Sequence, residues 1–264
     1  MTFAAVPELS AEAPRRPLLD RFVARVDVLR PRPGEPRRTV DMLPDGTTSL
    51  LFRALGGGEG TLSVRGPLTR AYYKTAPSIP LGVRIVFQPG GAYPFFGRPV
   101  ADLTDRLVPL EDVWGARART LLDELLATAE RGGDAVAVVE RALVERLRER
   151  PFEPACAVQA RAGVRMLAGG ARSIDDVASA LGLSSRHLRR TFQATVGFGP
   201  KTYARIARFQ RALALGRAAP GRWSEVAHAA GYFDQAHLSA DFRELARVSP
   251  GAVGEAVTRV RHEC

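Results

Sequence analysis

A short pattern of small, glycine and apolar residues occurs twice in the C-terminal part of the chain. The stretch DVASALGLSSRHLRRTF covers residues 176–192, and EVAHAAGYFDQAHLSADF covers residues 225–242. In both copies an alanine is followed four residues later by a glycine, and then by a leucine and a phenylalanine four residues apart. The alanine lets two helices cross closely, the glycine adopts the left-handed conformation of a tight turn, and the leucine anchors the second helix on the first. The pattern therefore predicts two helix-turn-helix units about fifty residues apart.

The segment between the two copies, PKTYARIARFQRALALG, has apolar residues at helical spacing. Tyr203, Ile206, Phe209 and Leu213 fall on one face, which predicts a single long helix over 201–217. Such a helix would hold the second helices of the two units at a fixed separation. A separation of about 34 Å would place them in successive major grooves on one face of DNA.

Start signals support a helical reading of the whole C-terminal part. Ser173 and Ser184 can cap two helices, Pro200 suits a first helical turn, and Ser224 can cap a fifth helix. The predicted helices span 155–168, 174–181, 185–195, 201–217, 224–230 and 235–246, with a short one after Pro250.

The N-terminal part has a different pattern. Between residues 39 and 88, short apolar runs alternate with glycine and proline, which is typical of short strands. Two amphipathic helices follow, one ending at Gly132 and one over 134–149. Such a pair either covers an open sheet face or forms a dimer interface, and covering the sheet is the commoner arrangement.

The predicted fold class is α+β. A β-rich domain with flanking helices spans 37–153, and an all-α domain of two helix-turn-helix units joined by a long helix spans 155–257. Residues 1–36 contain six prolines. We expect them to form an N-terminal tail, with one ordered piece at LLDRFVARVDVL.

The basic charge lies mostly in the C-terminal part. Residues 155–264 contain 16 Lys and Arg against 8 Asp and Glu, whereas residues 1–154 contain 22 against 20. A basic module beside a nearly neutral one indicates a polyanionic partner. Charge alone leaves open that this is an ordinary solvated surface.

The second helix of each unit carries the candidate DNA contacts. On the helix 185–195, Leu188 and Phe192 face inward. The opposite, outward face carries Arg186, Arg189, Arg190 and Gln193. Arginines there can pair with guanine O6 and N7 or with phosphate oxygens in a major groove. A solvated basic face is the alternative. The predicted base-reading residues are Arg186, Arg189, Arg190, Gln235, Ala236 and Ser239.

We call the outer face of the second helix of each unit its reading face. Polar side chains beside the reading faces would contact the phosphates and supply affinity without sequence preference. The predicted backbone contacts are Ser185, Gln193, Lys201, Arg208 and Arg243. The first unit would supply more of the electrostatic affinity, and the second would add shape and modest selectivity.

Residues 155–255 resemble the AraC family of bacterial transcription regulators. The resemblance rests on SIDDVASALGLSSRHLRRTF, GPKTYARIARFQRAL, VAHAAGYFDQAHLSADF and the closing SPG. It implies a DNA-binding transcription factor with a variable N-terminal domain for sensing or dimerisation, and it places the same six residues at base-reading positions. The N-terminal part is similar to a less studied domain that some AraC-like regulators carry.

Two departures from the family pattern bear on how fully the second unit engages DNA. Ala240 and Asp241 stand where the family usually has a backbone-contacting arginine, and no aromatic residue follows Pro250.

Composition argues against an enzyme. The four histidines all lie in the helical part, and the two cysteines form no C-x-x-C motif. We therefore expect no catalytic residue, metal site or cofactor. A repair regulator in which Cys156 accepts an alkyl group is an alternative, but the neighbouring cysteines that would activate such a thiolate with zinc are missing.

The strands carry the candidate ligand contacts. Aromatic residues with several arginines suit an acidic or aromatic small molecule, although core aromatics with solvated arginines would give the same pattern. The pocket candidates are Phe52, Arg65, Arg70, Tyr72, Tyr73, Arg84 and Phe87.

The sequence has no signal-peptide core and no apolar run long enough to span a membrane, which predicts a cytoplasmic protein. The resemblance implies that it is a bacterial regulator. The expected partners are double-stranded DNA at a promoter or operator, RNA polymerase, an unidentified small-molecule effector and a second copy in a homodimer, with no membrane. A structural DNA-binding protein with an N-terminal oligomerisation module is the alternative function.

Overall fold

A computed structural model of the protein describes residues 10–31, 37–149, 153–170 and 173–252. Within these ranges the N-terminal part contains eight strands. They are β1 (Ser10–Glu12), β2 (Val23–Leu29), β3 (Arg37–Met42), β4 (Ser49–Gly56), β5 (Glu59–Arg65), β6 (Tyr72–Pro77), β7 (Leu81–Phe87) and β8 (Leu107–Pro109). Six of them form one antiparallel sheet in the order β1-β2-β7-β4-β5-β8, and β3 pairs with β6 in a separate two-stranded sheet.

The described residues also contain ten α-helices and three short 3-10 helices. The α-helices are α1 (Tyr93–Phe96), α2 (Glu111–Trp114), α3 (Ala116–Glu130), α4 (Ala135–Arg148), α5 (Ala155–Ala168), α6 (Ile174–Ala180), α7 (Ser185–Val196), α8 (Pro200–Ala218), α9 (Trp223–Ala230) and α10 (Gln235–Leu245). The 3-10 helices are Pro17–Leu19, Val100–Leu103 and Pro250–Ala252. None of the described helices is both long and apolar enough to cross a membrane.

One face of the six-stranded sheet forms the N-terminal core. Side chains alternate along a strand, and Leu50, Phe52, Leu62 and Val64 all point to this face and are buried. Leucine and valine side chains of α3 and α4 pack against them. The helix pair therefore covers the sheet, which confirms the commoner of the two expected arrangements.

The segment that the sequence assigned to an N-terminal tail contributes two strands to this sheet. β2 pairs with β7, and its residues Val23 and Val26 are 2% and 1% exposed. This strand falls within LLDRFVARVDVL, the one piece of residues 1–36 that was expected to be ordered, and the six prolines all lie outside it. The β structure thus begins well before residue 37.

The helical core of the C-terminal part is built around α8. The ring of Phe209 lies edge-on to Phe242 of α10, with ring centroids 4.8 Å apart, and Tyr203 lies 6.1 Å from Phe192 of α7. All four side chains are buried. The predicted linking helix therefore packs against the second helix of each unit.

The helices α5 to α10 begin and end within one residue of their predicted bounds, and the predicted α+β fold class is confirmed. The expected cap at Ser224 is wrong: α9 begins at Trp223 and has no side-chain cap.

The N-terminal part contacts the C-terminal ends of both second helices. At the end of α7, the Thr104 hydroxyl donates a hydrogen bond to the carbonyl oxygen of Gly197 at 2.9 Å. At the end of α10, the Tyr73 hydroxyl donates to the carbonyl oxygen of Ala246 at 2.6 Å. Both bonds lie at the ends of α7 and α10 remote from their capped N-termini.

Candidate nucleic-acid interface

The first helix-turn-helix unit has the geometry that its sequence predicts. Ala178 is buried where α6 meets α7, and Gly182 has φ +65° in the turn between them. The Ser184 side chain caps α7 by accepting a hydrogen bond from the backbone N–H of His187 at 3.2 Å. Leu188 is fully buried on the inner face of α7. The turn and the cap together fix the direction in which α7 leaves α6.

The outer face of α7 is exposed and basic. Arg186, Arg189, Arg190 and Gln193 are all exposed, as the helical spacing predicts. Ser185 is only half-buried, and its hydroxyl hydrogen bonds the carboxylate of Asp175 in α6. Ser185 thus braces the unit as well as lying beside the reading face.

The second unit repeats this geometry with one extra residue in its turn. Ala227 is buried, Gly231 has φ +86°, and the Asp234 side chain caps α10 by accepting from the His237 N–H at 2.7 Å. The extra residue is Phe233, whose side chain is 85% exposed. The sequence analysis did not single out this aromatic residue. The longer turn is nevertheless visible in the sequence, because Gly182 and Gly231 are 49 residues apart whereas Leu188 and Leu238 are 50 apart.

The outer face of α10 is mostly uncharged. Gln235, Ala236 and Arg243 are exposed, and Ser239 is half-buried. The structure therefore places all six predicted base-reading residues on the outer faces of the two second helices. Of the predicted backbone contacts, Gln193, Lys201 and Arg243 are exposed.

Arg208, one of the predicted backbone contacts, also makes contacts within the helical domain. Its guanidinium lies 4.7 Å from the ring centroid of Tyr232 and 3.5 Å from a carboxylate oxygen of Asp241. Burial raises the pKa of the Tyr232 hydroxyl, and the nearby Asp241 carboxylate adds to this effect. Arg208 thus belongs to the contact between α8 and α10. Helical periodicity could not show this, because the contact depends on how the two helices pack.

Asp241 lies on the inner side of α10. Its side chain is 5% exposed, and one oxygen accepts a hydrogen bond from Nε of Arg205 at 2.7 Å. Arg205 also donates hydrogen bonds to the Glu244 carboxylate. The hydrogen bond with Glu244 has the larger effect on the pKa of the Arg205 guanidinium, and both it and the hydrogen bond with Asp241 raise that pKa. The Asp241 carboxylate is therefore neutralised within the domain and does not face outward beside Ala240.

The predicted ligand residues do not converge on one pocket. Phe52 and Phe87 are buried in the N-terminal core, whereas Arg84 lies on the opposite face of the sheet and pairs with Asp27. Of the remaining four candidates, Arg65 is buried on the same face as Arg84. Arg70, Tyr72 and Tyr73 lie near the end of α10 or on the surface of β6.

None of these seven candidates lines the cleft of about 360 Å³ at the edge of the sheet, which is bordered by β5, β8 and α3 and includes Ser63. Among the described residues, no group of three or more His, Cys, Asp and Glu side chains is placed to hold a metal ion.

Two family models match the chain. Residues 177–256 match a model described as a helix-turn-helix domain. Residues 12–109 match a model described as a domain of unknown function, DUF6597. No curated protein sequence matches the chain significantly.

The chain is also similar to solved structures. One is a probable AraC family transcriptional regulator from Rhodopseudomonas palustris, with 22% identity and a TM-score of 0.33 over 38% of this chain and 96% of that chain. Another is ToxT from Vibrio cholerae, with 8% identity and a TM-score of 0.40 over 88% of this chain and 97% of that chain. A ToxT structure with a bound unsaturated fatty acid has 11% identity and a TM-score of 0.38, covering 84% of this chain and 94% of that chain.

Two helix-turn-helix units that share one core define a DNA-binding module. Residues 177–256 of this chain form a helix-turn-helix domain, a module that binds DNA.

Proposed function

We propose that the protein is a sequence-specific regulator that reads DNA with both helix-turn-helix units. Arg186, Arg189 and Arg190 would contact bases from α7, and the residues Gln235, Ala236 and Ser239 would do so from α10. The observation that carries this proposal is the exposure of these side chains on two helices that pack against the same linking helix, α8. A shared core would keep the distance between the two reading faces constant, as two successive major grooves require.

The two reading faces would contribute differently. Three exposed arginines on α7 suit guanine O6 and N7 and the phosphates, whereas the amide, hydroxyl and methyl groups of α10 suit shape and selectivity. The exposed ring of Phe233 at the start of α10 adds an apolar surface of the kind that contacts thymine methyl groups. Gln193, Lys201 and Arg243 would hold phosphates, with Ser185 at the edge of this set.

The inward position of Asp241 supports engagement of the second unit. A carboxylate beside the reading face would repel DNA, but this one is paired with Arg205 inside the domain. The departure from the family pattern at Ala240 and Asp241 therefore removes one phosphate contact without adding a repulsive charge.

The N-terminal domain would control DNA binding, through a small-molecule effector or through dimerisation. Its hydrogen bonds to the ends of α7 and α10 support this proposal, because a shift in the N-terminal domain would move both reading faces. The regulator would act in the cytoplasm at a promoter or operator, with RNA polymerase as a further partner. The proposed function includes no catalytic step.

Selection of binding sites from a random double-stranded DNA pool, with the full-length protein, tests the proposal. We expect a defined motif that spans two adjacent major grooves, with affinity that falls steeply with salt. Arg189→Ala should weaken binding by roughly 1–3 kcal/mol and relax the preference at one base position.

The matched control is Arg217→Ala, which removes an exposed arginine in the last turn of α8. It should leave the selected motif unchanged. Enrichment of a single half-site would show that α10 does not read bases. If no sequence is enriched, or if Arg189→Ala selects the same motif with the same affinity, the proposed reading face is wrong.

A further inference from the structure

The second face of the six-stranded sheet, opposite the N-terminal core, is polar and mostly cationic. The strand register places Arg65 beside Ser49, and in the neighbouring row it aligns Ser63, Leu51, Arg84 and Asp27. Because side chains alternate along a strand, all of these residues share one face. Arg25 and Arg53 lie on the same face, so four arginines accompany a single aspartate there.

Arg65 is the most unusual member of this face. It is 8% exposed, its Nη2 lies 3.2 Å from the Ser49 hydroxyl, and its Nη1 contacts the sulfur of Met42. Among the described residues, its Nε has no hydrogen-bond partner. Burial lowers the pKa of Arg65 to about 10, and the positive charge of Arg84 acts in the same direction. Within the part of the chain that the structure describes, this guanidinium is thus held out of water with only neutral atoms in hydrogen-bond contact.

The nearby carboxylates are engaged elsewhere. Asp27 accepts hydrogen bonds from Arg84 at 2.7 Å and from Arg25 at 3.1 Å. Asp45 accepts from both the backbone N–H and the hydroxyl of Thr47. Within the described residues, Arg65 therefore makes no direct ion pair, and a buried charge of this kind is costly unless an anion neutralises it.

An unpartnered hydroxyl lies on the same face as Arg65. Ser63, two residues along β5 on the same face, is 5% exposed, and its hydroxyl has no partner among the described residues. Leu51, which is half-buried in the row of Ser63, supplies apolar surface on this face. Cationic and hydroxyl groups beside apolar ones match an organic anion better than an inorganic one.

We infer that this face binds a small organic carboxylate, with its carboxylate group on Arg65 and Ser63 and its apolar body against Leu51. A carboxylate would satisfy the free Nε of Arg65 and the Ser63 hydroxyl together, and it would supply the negative charge that the buried guanidinium lacks. Its role as an effector rests on the proposed regulatory function of the N-terminal domain.

The segment after β3 connects this face to the DNA-binding domain. Met42 ends β3 against Arg65, and the next residue, Leu43, already packs on the helical core. The carbonyl oxygen of Pro44 accepts a hydrogen bond from Nε2 of Gln210 in α8 at 2.7 Å. An occupant that displaces Met42 from Arg65 would therefore act on α8, the helix that sets the distance between the two reading faces.

Isothermal titration calorimetry on the full-length protein without DNA tests the site. The probes are sodium benzoate and sodium hexanoate, with benzyl alcohol as the uncharged counterpart of benzoate and inorganic phosphate as a compact anion. We expect saturable binding of a carboxylate and no binding of benzyl alcohol. Phosphate binding as tight as that of both carboxylates would overturn the assignment to an organic ligand.

Variants separate a ligand site from a structural arginine. Arg65→Met should lower carboxylate affinity at least about ten-fold. It should melt no lower than wild type, because it removes an unpaired buried charge. Ser63→Ala should weaken binding several-fold with an unchanged melting temperature, and it decides the question if Arg65→Met does not fold. The control Arg98→Met, at an exposed arginine paired with Asp102, should bind like wild type.

The inference is overturned if neither carboxylate binds wild type, or if Arg65→Met and Ser63→Ala bind as tightly as wild type. DNA selection is a separate measurement. A protein that selects a DNA motif but binds neither carboxylate would refute only this inference. A protein that binds carboxylate but selects no DNA sequence would refute only the proposed regulatory function.

Discussion

Nε of Arg205 in α8 donates a hydrogen bond to the Asp241 carboxylate in α10 at 2.7 Å, and this pair ties the second reading helix to the helix that links both units. Asp241 is nearly fully buried, so Asp241→Ala would leave Arg205 and Arg208 without their shared inner partner. We expect the free energy of unfolding to fall on the order of 3 kcal/mol, as measured by urea denaturation.

Glu244→Ala is the matched control, because Glu244 bonds the same arginine from a side chain that is 52% exposed. Exposed ion pairs contribute about 1 kcal/mol or less, so this variant should be only slightly destabilised. Equal losses for the two variants would contradict the buried role of Asp241.

The sequence was sufficient to predict the helical domain because its determinants are local. The spacing of Ala178, Gly182, Leu188 and Phe192 specifies one turn and one buried face, and no distant residue is needed to interpret it. The second copy at 225–242 doubled the same signal. The exposed faces of α7 and α10 followed from helical periodicity for the same reason.

The features that were missed depend on packing between distant elements. Arg208 and Asp241 lie on separate helices, and their pairing depends on how α8 crosses α10. In the sheet, Phe52 and Arg84 were grouped as ligand candidates, but strand alternation and register send them to opposite faces. Burial of Arg65 could not be anticipated, because it depends on where β3 and Met42 lie over β5.

Arg208 and Arg243 offer a direct test of the predicted contacts with the DNA backbone. Arg243→Ala should weaken binding to all DNA sequences equally and leave the stability unchanged. It should also lower the magnitude of the slope of log affinity against log salt concentration by about one. Arg208→Ala should instead lower the free energy of unfolding by about 1–2 kcal/mol, because it removes the contacts with Tyr232 and Asp241. Filter binding at several salt concentrations and thermal unfolding measure the two effects. A stable Arg208→Ala protein with evenly weakened DNA binding would instead show that Arg208 contacts the DNA backbone.

Alanine substitutions at two glycines distinguish the stability lost through strain in a turn from the stability lost when a contact between the two domains is disrupted. Gly182 has φ +65° with open space around it, so Gly182→Ala should cost roughly 1–2 kcal/mol from backbone strain alone. Gly197 has φ +102°, and an added Cβ would lie 2.6 Å from Pro67 and 2.7 Å from the Thr104 hydroxyl oxygen.

Gly197→Ala should therefore cost more than Gly182→Ala, and it should loosen the N-terminal domain from the end of α7. Hydrogen exchange measures this as faster exchange at the backbone amides around Thr104 and Gly197. If Gly197→Ala is as stable as Gly182→Ala and exchanges like wild type, the close approach of the two domains at this point is wrong.

Alkaline pH should weaken the contact between α8 and the segment after β3. Burial raises the pKa of the Tyr203 hydroxyl from 10.0 to about 12, and the nearby Asp45 carboxylate adds to the shift. A phenol with a raised pKa stabilises the fold in its neutral form. This contribution is fully present below about pH 10 and is lost as the pH rises toward 12.

Tyr203→Phe keeps the ring against Gly46 and Phe192 but has no proton to lose. Near neutral pH we expect the two proteins to differ in unfolding free energy by less than about 1 kcal/mol. Between pH 10 and 12, wild type should lose about 2–3 kcal/mol relative to Tyr203→Phe, because a shift of two pKa units is worth that much. Urea titrations at each pH measure the difference, and subtracting the variant cancels every other titrating group. Parallel stability curves for the two proteins across this range would mean that the Tyr203 hydroxyl ionises as it does in the unfolded chain.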